Sequence, residues 1–124
     1  MKSMLIKDKI VQFTIKKELD ISFFCREIFK NLPEYSLSLE CFKYDYNEME
    51  FTFCDHTEEG DIDYILTREK IEKGMEIFIQ NCLDGKYENS NLKDPQYLFE
   101  IGNWDADMVD MAIQICIFNE IVYG

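Results

Sequence analysis

The sequence predicts an α+β fold: an antiparallel sheet of three to four strands packed against helices, in the order β-α-β-β-β-α-α-α. Two patterns carry that expectation. Period-two alternation of apolar and polar residues recurs in short runs through the first half of the chain, and apolar stripes of helical period follow capping residues elsewhere. No Pro/Gly/Ser linker, internal repeat or low-complexity tract interrupts the 124 residues, so one domain spanning 1–124 is expected.

From Lys9 to Lys16, Val11, Phe13 and Ile15 alternate with Gln12, Thr14 and Lys16, the pattern of a half-buried strand. Asp20 stands at an N-cap position ahead of Ile21, Phe24, Cys25, Ile28, Phe29 and Leu32 at helical spacing, and Pro33 follows. Three strands are expected near 37–44, 48–54 and 61–66. Their loops are Asp45-Tyr46-Asn47 and His56-Thr57-Glu58-Glu59-Gly60. With a three-residue first turn, Cys41 faces Phe51 and Leu39 faces Phe53. With the second hairpin centred on Thr57 and Glu58, Phe51 faces Tyr64, Phe53 faces Ile62 and Met49 faces Leu66. Apolar then meets apolar in both hairpins, as one buried face requires.

The same register expects Glu40, Glu48, Glu50, Asp61 and Asp63 on the opposite face, beside Phe42, Tyr44, Thr52 and Ile65. Thr67 caps a predicted helix from Arg68 to Leu83, with Ile71, Met75, Phe78, Ile79 and Cys82 on one stripe and Gly85 as its stop. Asp94-Pro95 opens a short helix that Gly102 is expected to end. A last helix begins at Asn103 or Asp105 and runs to about Phe118. It is apolar nearly all round, with Val109, Ala112, Ile113 and Cys116 on one stripe and Met108, Met111, Ile115 and Phe118 on another, which places it in the core or in a homo-oligomer interface. Trp104, at the start of that helix, is expected to seal the core.

Charge is unevenly distributed. The chain carries a net −12, yet residues 1–33 have seven Lys/Arg against four Asp/Glu, whereas residues 34–124 have six against twenty-one. Between Lys43 and Arg68 lie eight acids and no Lys or Arg. Direct nucleic-acid binding is not expected, because phosphate contacts need Lys and Arg. The five cysteines are scattered, odd in number and never in a CxxC spacing, so free thiols in a reducing cytosol are expected. Residues 1–6 carry one Lys and too short an apolar run for a signal peptide. No stretch approaches the roughly 18 apolar residues of a membrane span.

Catalytic, cofactor and metal motifs are not expected. His56 is the one histidine and is predicted to lie in a solvated loop. The stretch from Asp55 to Asp63 has Asp at its first and Gly at its sixth position, like a calcium loop, but the twelfth position, where an EF-hand needs a bidentate Glu, is Leu66. No zinc spacing, GxGxxG, GK[ST] or GxSxG is present, and a nucleophile system built on His56 has no support. The chain therefore reads as a non-enzymatic binding module.

The C-terminal segment Trp104-Asp105-Ala106-Asp107-Met108-Val109-Asp110, then Gln114, then Phe118-Asn119-Glu120-Ile121-Val122-Tyr123-Gly124, resembles the ending of small uncharacterised accessory proteins of bacteriophages and prophages, with Asn119 where that ending carries Gly. Phe51 through Cys82 is compatible with their layout. The resemblance implies a product that blocks a host defence, of the anti-CRISPR or other anti-defence type, working in the host cytosol. It transfers no active-site residue. The residues agree in kind, because carboxylates on one sheet face can occupy an Arg/Lys channel built for phosphate. The expected partner is a protein with a basic, nucleic-acid-binding surface, met by Glu40, Phe42, Tyr44, Glu48, Glu50, Asp61 and Asp63. Two other readings are an immunity protein or antitoxin that neutralises a basic nuclease through the same face, and a phage structural or assembly component that self-associates through the last helix.

Overall fold

Local capping chemistry sets where the helices begin. In the computed structural model, which describes residues 18–35 and 37–124, the Asp20 carboxylate accepts from the Phe23 amide at 3.1 Å and opens α1 (Ile21–Phe29). The Thr67 hydroxyl accepts from the Lys70 amide and opens α2 (Arg68–Leu83), the span expected from the sequence. Asp94 caps α3 (Pro95–Leu98), and Asp105 caps α4 (Ala106–Phe118) by accepting from the Met108 amide at 2.9 Å. Asn119 ends α4 in the left-handed conformation, φ 62°. This is the helix-stop geometry that Gly takes most readily and Asn next, which explains how Asn serves at that position. Helix α3 stops at Leu98, short of the expected Gly102, which lies inside a separate 3-10 turn, Ile101–Asn103.

Three antiparallel strands, β1 (Glu40–Asp45), β2 (Glu50–Thr57) and β3 (Gly60–Leu66), form one sheet in the order β1-β2-β3. The fold is thus α+β, with the order α-β-β-β-α-α-α among the described residues. The strand expected over 9–16 lies outside them.

One face of the sheet closes the core. Phe51, Phe53 and Leu66 are buried with α1's Phe24, Ile28 and Phe29, α2's Met75 and Phe78, and α4's Val109 and Ile113 in one cluster. The Phe29 and Phe51 rings meet edge-on with centroids 5.0 Å apart, and Tyr64 meets Phe118 at 5.3 Å. Trp104 is 5% exposed, wedged between Phe24 and Phe78, and its Nε1–H donates to the Leu98 carbonyl at 2.8 Å. It seals the core as expected. Helices α2 and α4 cross where Gly74 lies: a Cβ there would sit 2.6 Å from the Cys116 Cα, so only glycine allows the approach.

Both apolar stripes of α4 are spent inside the chain. Met108, Val109, Ala112, Ile113 and Ile115 are buried, and Met111, Cys116 and Phe118 are half-buried against the same core. Packing within the chain thus accounts for most of the helix's apolar surface. Among the described residues no helix is long and apolar enough to cross a membrane.

Candidate functional site on the outer sheet face

Strand parity decides which side chains leave the core. On β2, Phe51, Phe53 and Asp55 point inward, so Glu50, Thr52, Cys54 and His56 point outward; on β3 their partners Asp61, Asp63 and Ile65 do the same. The second hairpin corrects the expected register. Its turn is centred on Glu58 and Glu59, so Phe51 pairs with Leu66, Phe53 with Tyr64 and His56 with Asp61. Gly60, at φ 129°, supplies the backbone conformation this tighter turn requires. The displacement is two residues, and a slip of two keeps every side chain on its own face. Glu50, Asp61 and Asp63 therefore stand on the outer face as expected.

The first hairpin departs further. Between the pairs Cys41–Phe53 and Lys43–Thr52 one residue of β1, Phe42, has no partner and forms a β-bulge. One extra residue inverts parity beyond it. Glu40 remains outward, but Lys43 and Asp45 take the outer face and Tyr44 crosses to the inner side, paired with Phe51 and stacked on its ring at 6.2 Å. Its strand face is thus corrected, although at the edge of the sheet Tyr44 remains 54% exposed. Glu48 is another correction: it belongs to the 46–49 turn, where its amide donates to the Asp45 carboxylate, rather than to a strand. Tyr46 is used internally, with the Arg26 guanidinium 5.5 Å from its ring centre and its hydroxyl donating to the Arg26 carbonyl.

The outer face thus carries Glu40, Asp45, Glu50, Asp61 and Asp63, all exposed, with Ile65 53% and Phe42 51% exposed beside them. Lys43 is the one Lys or Arg that the pairing puts on it. Among the described residues none of these five carboxylates has a Lys or Arg nitrogen within 4.0 Å. Asp45 and Glu50 sit directly opposite, a like-charge pair that costs the sheet stability.

His56 is the exception to this bareness. The sequence places it in a loop; the structure extends β2 through Thr57 and makes it a strand residue. Its ring lies between two carboxylates on the flanking strands, with Nδ1 2.9 Å from Asp61 Oδ1 and Nε2 3.3 Å from Glu40 Oε1. Hydrogen bonding to Asp61, then to Glu40, raises its pKa and favours the imidazolium. Cys54, two residues earlier on the same face, puts its sulfur 3.7 Å from His56 Nδ1. Although outward-pointing, it is only 6% exposed, with Glu40 and Asp63 opposite it on either side. Burial first, then the Asp63 carboxylate, pushes its thiol up to about 11.

Sequence reasoning missed Cys54 and His56 as members of this face. The available signal was the Thr57-Glu58-Glu59-Gly60 stretch: a two-residue turn closed by Gly sets His56 against Asp61. A broad open groove between β3, α2 and α4 adjoins this face, its walls including Asp63 and Ile65 as well as Tyr64, Lys70, Lys73 and Ile117, and the chain's one histidine is not among them. The other cysteines are free; Cys25 and Cys82 are buried, Cys41 and Cys116 half-buried.

Comparison of the chain with protein-family models, with curated proteins and with solved structures gives no match.

Proposed function

We propose that the protein is a non-enzymatic inhibitor of the phage anti-defence type, acting in the host cytosol by docking its outer sheet face onto a basic, nucleic-acid-binding surface of a host protein. One observation carries the reading. Five exposed carboxylates project from three paired strands around Phe42 and Ile65, without Lys or Arg partners among the described residues.

The spacing of a sheet makes such a set dense. Neighbouring strands lie about 4.8 Å apart and successive outward residues about 6.8 Å apart along a strand. Negative charge held on a rigid surface attracts Arg and Lys clusters and accelerates encounter with them, while the apolar Phe42 and Ile65 supply contact area once the charges have aligned the partners. Mutual repulsion within the set is relieved when a basic surface covers it. The docking residues are Glu40, Phe42, Glu50, Asp61 and Asp63 of the original expectation, with Asp45 replacing Glu48 and Ile65 replacing Tyr44.

The test is a binding measurement on the partner recovered from host lysate at low salt. That partner should bind nucleic acid by itself and release it when this protein is added. The complex should weaken steeply with salt, and the double reversal E50K/D63K should abolish it. A complex indifferent to both salt and charge reversal overturns the reading.

A further inference from the structure

The arrangement around His56 points to a second property of the outer face. We propose that Cys54, His56 and Asp61 form a zinc site, with Glu40 as the carboxylate that orients the histidine. Four features of the geometry carry this, and none depends on the docking proposal.

The first is donor type. A thiolate, an imidazole and a carboxylate together suit Zn²⁺; calcium and magnesium would want oxygen alone. The second is proximity: Cys54 Sγ, a ring nitrogen of His56 and a carboxylate oxygen of Asp61 all lie within 4.8 Å of one another. Zinc bond lengths and tetrahedral angles demand ligand separations of about 3.6 Å between sulfur and nitrogen and about 3.4 Å between nitrogen and oxygen. The protein already holds Sγ 3.7 Å and Oδ1 2.9 Å from Nδ1, and the sulfur and the Asp61 carboxylate within 4.8 Å of each other, so side-chain adjustment on fixed strands can close the site.

The third feature is rigidity. His56 and Asp61 are directly paired across β2 and β3, and Cys54 is the next outward residue on β2, so the ladder's hydrogen bonds hold all three Cα positions. Sites built on strands keep their geometry better than sites on loops.

The fourth is the far side of the ring. Nε2 lies 3.3 Å from Glu40 Oε1, so an Nε2–H donated to Glu40 leaves the Nδ1 lone pair for the metal. A carboxylate behind a metal-bound imidazole is the recurrent arrangement that fixes tautomer and ring orientation. On binding, the Cys54 thiol and the His56 Nδ1 each give up a proton to solvent, while Nε2 keeps its own. With three protein ligands, the fourth zinc position is left to water.

The experiment is a titration of the reduced full-length chain with Zn²⁺, and in parallel with Co²⁺, whose thiolate charge-transfer absorption reports the sulfur directly. One metal per chain is expected, with that absorption present and displaced by zinc. C54S should abolish the absorption, H56A and D61N should each weaken zinc by more than tenfold, and E40Q should weaken it by about tenfold. C41S, the control for the half-buried thiol on the neighbouring strand, should change nothing. His56 and Asp61 are exposed, so their variants retain the fold, which circular dichroism checks. Absence of the cobalt–thiolate absorption, its survival in C54S, unchanged affinity in H56A, or displacement of zinc by excess calcium would each overturn the site, the last by showing a nonspecific acidic cluster.

Discussion

The two sides of the sheet treat the same side-chain type in opposite ways. On the inner side, Asp55 is 6% exposed and both of its oxygens lie 2.8 Å from the Tyr123 hydroxyl, which donates to them. Asp110 of α4 accepts from the Ser38 amide and hydroxyl, each at 2.8 Å, and from Gln114 at 3.0 Å. Gln114, fully buried, uses its whole amide: Nε2 donates to Asp110 and to the Tyr123 carbonyl, and Oε1 accepts from the amides of Val122 and Tyr123. Ser38, Asp110, Gln114, Tyr123 and Asp55 form one network that ties the C-terminal segment to α4 and to β2. On the outer side, the five carboxylates meet no Lys or Arg among the described residues. Glu40 and Asp61 share the exposed His56 ring, and Asp45 accepts from the Glu48 amide. All five nonetheless stay exposed and without Lys or Arg among the described residues, so unlike the carboxylates of the inner network they keep oxygens available to something else.

That contrast predicts where the molecule is fragile. Alkali should do the most damage, chiefly through groups shielded from water. Burial, aided by Glu72 and Glu76, pushes the Cys25 thiol from its ordinary 9.0 up to about 12, and burial alone does the same to Cys82. The Asp55 carboxylate, which accepts the Tyr123 hydroxyl's proton in a hydrogen bond, is the main cause that raises the Tyr123 pKa. Groups whose pKa is raised by folding stabilise the protein fully below the unfolded value and lose that contribution as pH climbs through the folded value. The contribution of these thiols and of Tyr123 should therefore be constant up to about pH 9 and fall steadily between 9.0 and about 12, after a smaller decline above 6.5 as the exposed His56 loses its proton. A midpoint that stays constant across that window would mean the thiols are not held in the core as described.

Gln114→Ala comes next. It strands two backbone amides and a carbonyl together with part of Asp110's coordination, and should cost about 3 kcal/mol in urea unfolding. Tyr123→Phe keeps the ring against Phe118 but leaves Asp55 buried without its donor, a loss of about 2 kcal/mol. The outer face should barely register: Asp63→Asn should move stability by less than about 0.5 kcal/mol. Glu50→Gln should raise it by a few tenths of a kcal/mol, because the repulsion from Asp45 across the ladder disappears. If Glu50→Gln proved as costly as Gln114→Ala, the outer face would be structural and the two sides would not differ as described.

Legibility in the sequence follows the range of the interaction. Asp20, Thr67 and Asp94 were readable as caps, and Asp105 as one of two candidates with Asn103, because a cap and the amide it accepts from lie two or three residues apart. The stripe of α2 and the burial of Trp104 followed from periodicity and from the large apolar area of an indole. Strand faces were mostly readable, since alternation survives a register error of two. Tyr44 was not, because the Phe42 bulge inverts parity and leaves no mark in a single strand's pattern. The site around His56 was obscured for a related reason: ending β2 at Cys54 assigns His56 to a loop, and its neighbours Glu40 and Asp61 come from two other strands.

The sequence by itself therefore determined the α+β class, the positions of the helices, the free thiols and the concentration of acid between Lys43 and Arg68. These depend on composition and on contacts within one turn of helix or one strand. Only the tertiary structure decided which acids are clothed and which are bare. Asp55 meets Tyr123 across 68 residues and Ser38 meets Asp110 across 72, and such pairings are set by how α4 and the C-terminal segment pack on the sheet. A carboxylate's role depends on the donors around it, and those donors are brought by packing.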